Sequence, residues 1–385
     1  MKKSKIIRTA TIAMSLDLLL KGQLAFLNKD YHVLAISGAD DYLSNVAKRE
    51  KIETINVSMQ RQISPFQDLI SLIKLYIILK KEKPLIVHSI TPKAGLLTMI
   101  ASYFAGVPIR MHTFTGLIFP TRDGFMKRIL IMMDKIICIF ATHVYPEGVG
   151  VKNDLLQYKI TLKPLKIIAN GNINGIDLNY FDTVNISKVQ RNELKTQLKI
   201  SETDFVFIII GRLVVDKGIN ELVRAFVKLC DINIKCKLLL VGPFENELSP
   251  LEIDTLYQIQ NNDSILSVGY QNDVRPYLAI SNCLAFPSYR EGFPNVVMQA
   301  GAMGLPSIVT NINGCNEIII PNENGLIIPA KNEEKLYHAM LEMINNKELF
   351  LKMKNNSRKM IESRYSQEIV WKAILEEYKK HEQNV

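Results

Sequence analysis

Cysteine is scarce in this 385-residue chain: Cys138, Cys230, Cys236, Cys283 and Cys315 are odd in number, lie mostly within apolar runs and form no CxxC pair. That pattern excludes a disulfide frame and a CxxC-type zinc site, and reads as buried thiols in a reducing compartment. The six histidines lack ligand spacing and no DxD triplet occurs, so no metal centre is read. GxGxxG is missing, and with it the dinucleotide fingerprint; no cofactor is expected. Basic residues interleaved with aromatics, as an RNA-recognition motif has, do not occur, which argues against nucleic acid. Long apolar runs are missing too: the longest, Ile129 to Ala141, is interrupted by Asp134 and Lys135 and is no membrane span. The opening MKKSKIIRTATIAMSLDLLL imitates a secretory signal, but Arg8 and Asp17 break its apolar core and no small-residue cleavage site follows. It reads as a first strand, and the protein as cytoplasmic.

What is present is an ordinary globular composition, 48% hydrophobic and 22% charged, in a chain long enough for two domains. The charge is uneven. Residues 1–180 hold 24 Lys and Arg against 13 Asp and Glu, a balance of +11, while the remainder holds 23 against 25, or −2. With nucleic acid set aside, a basic half fits a phosphorylated substrate or an anionic membrane surface, the latter bound by charge and released by salt.

The pattern alternates strand and helix throughout. Ile6 to Met14 reads as a strand, SLDLLLKGQLAFLNK as a leucine-striped helix and YHVLAIS as the next strand. Gly22, inside that helix, is either a tolerated helical glycine or a point of close ligand approach. Ser64-Pro65 opens a long helix through Lys81, with Ser64 as N-cap; LIVHS and Ile109 to Thr113 are strands. Asn170 to Asp177 is dense in turn formers and reads as the interdomain junction. The alternation then restarts with FVFIII, Phe205 to Ile210. This predicts an α/β protein of two doubly wound parallel sheets.

Two loops carry chemistry. GRLVVDKG, Gly211 to Gly218, places Arg212 and Lys217 after a buried strand, where a planar fork and a point charge can clamp a diphosphate. CLAFPSYREGFPNVVMQAGAMGLPSIVT, Cys283 to Thr310, reads as strand, polar loop, helix and strand. Its loop runs through Glu291, Gly292, Phe293 and Pro294 straight into a helix N-terminus, a spot favourable to phosphate. Glu291 and Gln299, eight apart, can touch different parts of one ligand.

GRL-x3-KG followed at about 80 residues by EGFPNVV-x3-A-x-GLP resembles the donor half of the family 4 retaining glycosyltransferases. RQISPFQDL, IVHSITPKAGLL, VPIRMHTFTG and the NGID turn extend the likeness to the N-terminal half, and the bacterial enzymes that build capsule, O-antigen and related surface glycans are the most similar in kind. The resemblance implies a GT-B fold: two Rossmann-like domains facing a central cleft, residues 1–180 for the acceptor and 181–367 for the nucleotide-sugar, with 368–385 crossing back to the first. It implies a UDP-sugar donor, a lipid-linked saccharide acceptor, and retaining, metal-independent transfer by a protein peripheral to the inner membrane. Arg212 and Lys217 would hold the diphosphate and Glu291 a donor-sugar hydroxyl. Gly292, Phe293 and Pro294 would face sugar and phosphate, Tyr270 would border the base, and Gly22 would approach the diphosphate from the other domain. Gln299 stands where the family's second acid contacts the ribose. The family's loop histidine is replaced in Thr113-Phe114-Thr115-Gly116, leaving His112 and His88 as candidates for its role or as structural histidines. A sugar-nucleotide epimerase of the same architecture, or a binding protein without chemistry, are the competing readings.

Overall fold

The computed structural model describes residues 3–38, 40–60, 64–121, 123–232, 234–245 and 249–384. Arg61, Gln62 and Ile63 of the RQISPFQDL stretch lie outside them. The chain folds as two compact units, residues 1–175 with 367–385, and residues 176–366. The change from one to the other falls inside the turn-rich Asn170–Asp177 stretch.

Among the described residues the first unit holds six strands: β1 (Lys5–Thr9), β2 (His32–Ser37), β3 (Glu53–Asn56), β4 (Ile86–Ile90), β5 (Ile109–Phe114) and β6 (His143–Pro146). The second holds β7 (Phe205–Ile210), β8 (Cys236–Val241), β9 (Ile265–Ser267), β10 (Cys283–Phe286), β11 (Ser307–Thr310) and β12 (Gly325–Ile328). Their orders are β3-β2-β1-β4-β5-β6 and β12-β11-β10-β7-β8-β9. Every pairing is parallel, with β1 on β4 through Arg8 opposite His88 and β7 on β10 through Phe207 opposite Cys283. Both sheets therefore reverse direction between their first and fourth strands, the switch point outside which open α/β sheets bind ligands.

Apolar residues set the layers. In the first unit Ile7, Leu34 and Val87 turn to one side of the sheet, with Leu75, Leu97 and Ile137 from helices Pro65–Glu82, Pro92–Ala105 and Gly124–Phe140. Ile6, Val33 and Ile86 turn to the other, where Leu16, Leu24 and Val46 meet Val370, Ile374 and Tyr378 of the last helix, Gln367–Glu382. The C-terminal helix thus belongs to the first unit. Period-2 alternation along each strand is what allows both faces to be covered.

Several elements differ from the sequence reading. The first strand stops at Thr9, not Met14: Thr11 sends its N–H to the hydroxyl of Thr91 (3.0 Å), and a helix starts at Ala13. The leucine-striped segment is two helices, Ala13–Leu19 and Gln23–Leu27, broken at Gly22 with φ +81°. Ser64 is the N-cap residue of its helix, yet its hydroxyl caps nothing; its N–H donates to the Asp68 carboxylate at 3.3 Å. The apolar run Ile129 to Ala141 forms most of helix Gly124–Phe140, and among the described residues no helix is long and apolar enough to cross a membrane.

Candidate active site

The second unit's switch point is built from the loops after β7 and β10. Gly218, at φ +70°, lies so close to the Pro287 carbonyl that a Cβ there would collide with it, so only glycine lets the two loops meet. Hydrogen bonds knit the meeting: Tyr289 N–H donates to the Asp216 carbonyl at 2.9 Å, and Arg290 grips the Asp216 carboxylate through Nε (3.0 Å) and Nη2 (2.8 Å). On this frame Lys217 and Glu291 form a direct ion pair, both side chains largely buried. The Ser288 hydroxyl, from a residue with no exposed surface, donates to Glu291 Oε1 at 2.8 Å. Lys217 Nζ also stands 5.2 Å from the centre of the Phe286 ring, a cation–π contact that fixes the stem. Burial and the neighbouring Glu291 carboxylate push the thiol of Cys315 well above its ordinary range, so it is inert there.

Arg212 shares the loop with Lys217 but turns its half-exposed guanidinium to Glu245, Nη1 to Oε2 at 2.7 Å. Pro294 is the N-cap of helix Asn295–Ala302, extended at φ −74° and ψ 109°. Gly292 and Phe293 are held from behind by Gly314, whose Cβ position lies 2.6 Å from the Gly292 carbonyl. Gln299 is half-buried on the same helix, and its amide makes no hydrogen bond among the described residues. Tyr270 follows β9 and is 69% exposed. The structure therefore brings Lys217, Glu291, Gly292, Phe293 and Pro294 together, with Arg212 in the same loop and Gln299 one helical turn and more away. Ser288 and Asp216 complete the frame. Their signal was in the sequence only as polar residues beside the motif letters.

In the first unit, the expected site residues make internal contacts. His112 is buried in the core: its Nδ1 pairs with the Ser89 hydroxyl at 2.7 Å and its ring packs against Gly95 and edge-on to Phe114. Burial lowers its pKa to about 3, so it is a neutral imidazole in the core. His88 is equally buried, between the hydroxyls of Tyr378 (2.7 Å) and Thr113 (2.8 Å). Gly22 is likewise partnered within the unit. Its N–H donates to the buried Glu50 carboxylate at 2.9 Å, as does Ala25 N–H, so an internal anion already fills that helix N-terminus. Its open face is filled by Trp371, whose ring a Cβ would meet at 2.6 Å.

Among the described residues no three His, Cys, Asp or Glu side chains gather as a metal site needs.

Two doubly wound sheets in this order define a GT-B protein, and solved glycosyltransferases share the fold. HepE of Anabaena, crystallised with UDP and glucose, superposes with a TM-score of 0.81 at 18% identity, covering 98% of this chain and all of that one. A glycosyltransferase of Rickettsia africae does so at 0.81 and 21%, covering all of both chains. Residues 14–145 match the model "Glycosyl transferase 4-like" and residues 190–360 the model "Glycosyl transferases group 1". The capsular polysaccharide biosynthesis glycosyltransferase CapM of Staphylococcus aureus is 32% identical, covering 98% of this chain and 97% of its own length. The UDP-Gal:alpha-D-GlcNAc-diphosphoundecaprenol alpha-1,3-galactosyltransferase of Escherichia coli is 30% identical over 83% of this chain and 81% of that enzyme. The chain belongs to the family 4 glycosyltransferases.

Proposed function

We propose that this enzyme transfers a sugar from a UDP-sugar to a lipid-linked saccharide during surface polysaccharide biosynthesis, acting at the inner face of an anionic membrane. The observation that carries the donor assignment is the Lys217–Glu291 pair at the second unit's switch point, beside the N-terminus of helix Asn295–Ala302. A diphosphate there meets a fixed cation and a helix dipole. Arg212 exchanges Glu245 for the same phosphates. Glu291, oriented by Ser288, accepts from a sugar hydroxyl. Gln299 takes the ribose, Tyr270 borders the base, and the backbone of Gly292, Phe293 and Pro294 faces sugar and phosphate. The second unit is the donor half and the first the acceptor half.

Chemistry follows from that arrangement. As the glycosidic bond to UDP breaks, negative charge grows on the β-phosphate, where Lys217, Arg212 and the helix N-terminus stabilise it. With no side-chain nucleophile evident in the sequence, the acceptor hydroxyl attacks from the leaving-group side and passes its proton to the departing phosphate, with retention at the anomeric carbon. The lipid-linked acceptor is supported by relatives: the Escherichia coli enzyme above, and a Campylobacter jejuni N,N'-diacetylbacillosaminyl-diphospho-undecaprenol alpha-1,3-N-acetylgalactosaminyltransferase, 23% identical over 94% of both chains. Incubation with radiolabelled UDP-sugars and undecaprenyl-diphosphate saccharides tests the proposal. Label should move to the organic phase; interconversion to an epimeric UDP-sugar, or binding without turnover, overturns it. Arg212→Ala and Lys217→Ala should each lose transfer while keeping the native melting behaviour.

A further inference from the structure

The helical layer on one side of the first sheet exposes apolar stripes to solvent. In helix Pro65–Glu82 the outward positions are Phe66, Leu69, Ile73, Tyr76 and Ile77, between 38% and 73% exposed. Their spacing of three, four, three and one residues is one continuous helical face. Helix Gly124–Phe140 repeats the arrangement: Phe125, Met132 and Ile139 are 77%, 55% and 69% exposed at seven-residue intervals, with Arg128 and Lys135 between them. Helix Pro92–Ala105 lies between these two and ends in Tyr103 and Phe104, 51% and 63% exposed, the first edge-on and the second tilted against Phe140. A soluble helix packs its apolar stripe inward; these three leave a second one outside.

Charge selects the occupant. The exposed ions of the two striped helices are Lys74, Lys80, Lys81, Arg128 and Lys135, all cationic. The acids of those helices are turned away: Asp68 is paired with Lys93, Glu82 with Lys5 (2.6 Å), and Asp134 is buried. Among the described residues of the two helices and their caps, Asp123, at the N-cap of the second helix, is the one exposed acid. A second copy of the chain packed face to face would set lysine against lysine. A bilayer of anionic lipid satisfies both properties at once: apolar side chains enter the acyl boundary, and long Lys and Arg side chains reach the headgroups.

We infer that this face, the outer stripes of helices Pro65–Glu82 and Gly124–Phe140, inserts into one leaflet of an anionic membrane. The inference rests on the membrane-side action proposed above and changes its nature. A basic half alone predicts adsorption that salt reverses; the apolar stripes make the association hydrophobic and charge-selected together. Phe66 and Phe125 lie in the first turns of their helices, hence at the edge of the sheet where the strands end and where the acceptor half of such a fold takes its ligand. The inserted face and that edge adjoin, so a lipid-linked acceptor need not leave the bilayer to be reached.

The test uses the full-length protein and sedimentation with vesicles of phosphatidylethanolamine and phosphatidylglycerol at seven to three, or of phosphatidylcholine alone. Native protein should bind the anionic vesicles most tightly and the neutral ones weakly but measurably, and molar salt should lower binding to anionic vesicles only to the neutral level. The quadruple variant Phe66→Ser, Ile77→Ser, Phe125→Ser, Ile139→Ser should lose at least about a hundredfold in partitioning, four apolar side chains having left the acyl region. Its melting temperature and its shift with UDP should match the native values, because all four residues are solvent-exposed and belong to the first unit, whereas the proposed donor loops belong to the second. Complete release of native protein by salt, no binding to neutral vesicles, or undiminished binding of the variant overturns the inference; so does a concentration-dependent dimer in the ultracentrifuge that the variant abolishes. A native protein that binds vesicles but shows no UDP shift would instead count against the donor assignment and leave the membrane face standing.

Discussion

Lys217 and Glu291, 74 residues apart in sequence, meet as an ion pair where the loops after β7 and β10 cross. Under the proposed function the two halves of the pair answer to different parts of the donor. Lys217→Met should weaken UDP binding by roughly 1.5–3 kcal/mol, the worth of one charge-assisted contact. Glu291→Gln removes the lysine's competitor, so UDP should bind within about threefold of native affinity while turnover falls at least tenfold, or about 1.4 kcal/mol. Calorimetry with UDP beside initial rates separates them. Equal losses of UDP affinity in both variants would mean that Glu291 only props the lysine.

Gly22 is a packing residue in this structure, and substitution should show it. Gly22→Ala places a methyl against the Trp371 ring in a left-handed backbone, at a cost of about 2 kcal/mol or more. The fluorescence of Trp371, the sole tryptophan, should report the change together with a lower melting temperature. Donor KM should hold. A raised KM with native melting would return Gly22 to the diphosphate.

Gln299 carries a different balance from an acid. A carboxylate bonds ribose hydroxyls roughly twice as strongly but repels the nearby diphosphate, whereas an amide gives up part of the first and all of the second. Gln299→Glu should therefore stay active with donor KM changed less than about tenfold, or 1.4 kcal/mol. Gln299→Leu should weaken the donor by roughly 1–3 kcal/mol. If the leucine variant discriminates ribose from 2′-deoxyribose donors as the native protein does, Gln299 does not read the ribose.

Asp134 makes the protein less stable as pH rises. Burial in helix Gly124–Phe140 lifts its pKa to about 7 from the usual 3.8. Between those values the folded state binds the extra proton, so stability present at acid pH is lost as pH climbs through 7. Asp134→Asn should gain stability at pH 8, by up to about 4 kcal/mol, and close to nothing at pH 4. Urea midpoints at the two pH values measure the difference; an equal gain at both would assign the effect to packing.

His112 pulls the other way. With its pKa lowered to about 3, the folded state refuses a proton that the unfolded chain takes up below 6.5. Stability is whole above 6.5 and falls toward pH 3, by about 2 kcal/mol at pH 5. Replacing His112 with glutamine should flatten that part of the acid limb in urea titrations.

Motif letters pointed to the two loops that meet in the second unit because their geometry is local: a glycine that lets two backbones meet, a proline at a helix start and a cation after a buried strand are each set by a few neighbouring residues. The doubly wound order followed from alternation, since buried parallel strands such as FVFIII can form little else. The fates of His112 and Gly22 were not legible. Whether an imidazole faces solvent or Gly95, and whether a backbone N–H is free or held by Glu50, depends on contacts between segments 17 to 28 residues apart or, for Trp371, nearly the whole chain. The outward stripe of helix Pro65–Glu82 was hidden for a related reason: its sequence is apolar on two faces, and only the packed layer tells which face remains outside.

The return of helix Gln367–Glu382 to the first unit imposes an order on synthesis. Residues 176–366, the second unit, are complete on the ribosome before the last helix of the first has been made. Until Tyr378 emerges, Arg8 lacks the hydroxyl that accepts from it at 2.8 Å, and Val370 and Ile374 cannot cover the leucines of the first helices. The half of the chain translated first is the half that must wait, holding an open apolar seam through the making of some two hundred further residues. Nascent chains stalled before residue 367 should expose that seam to chaperones while the second unit is already folded.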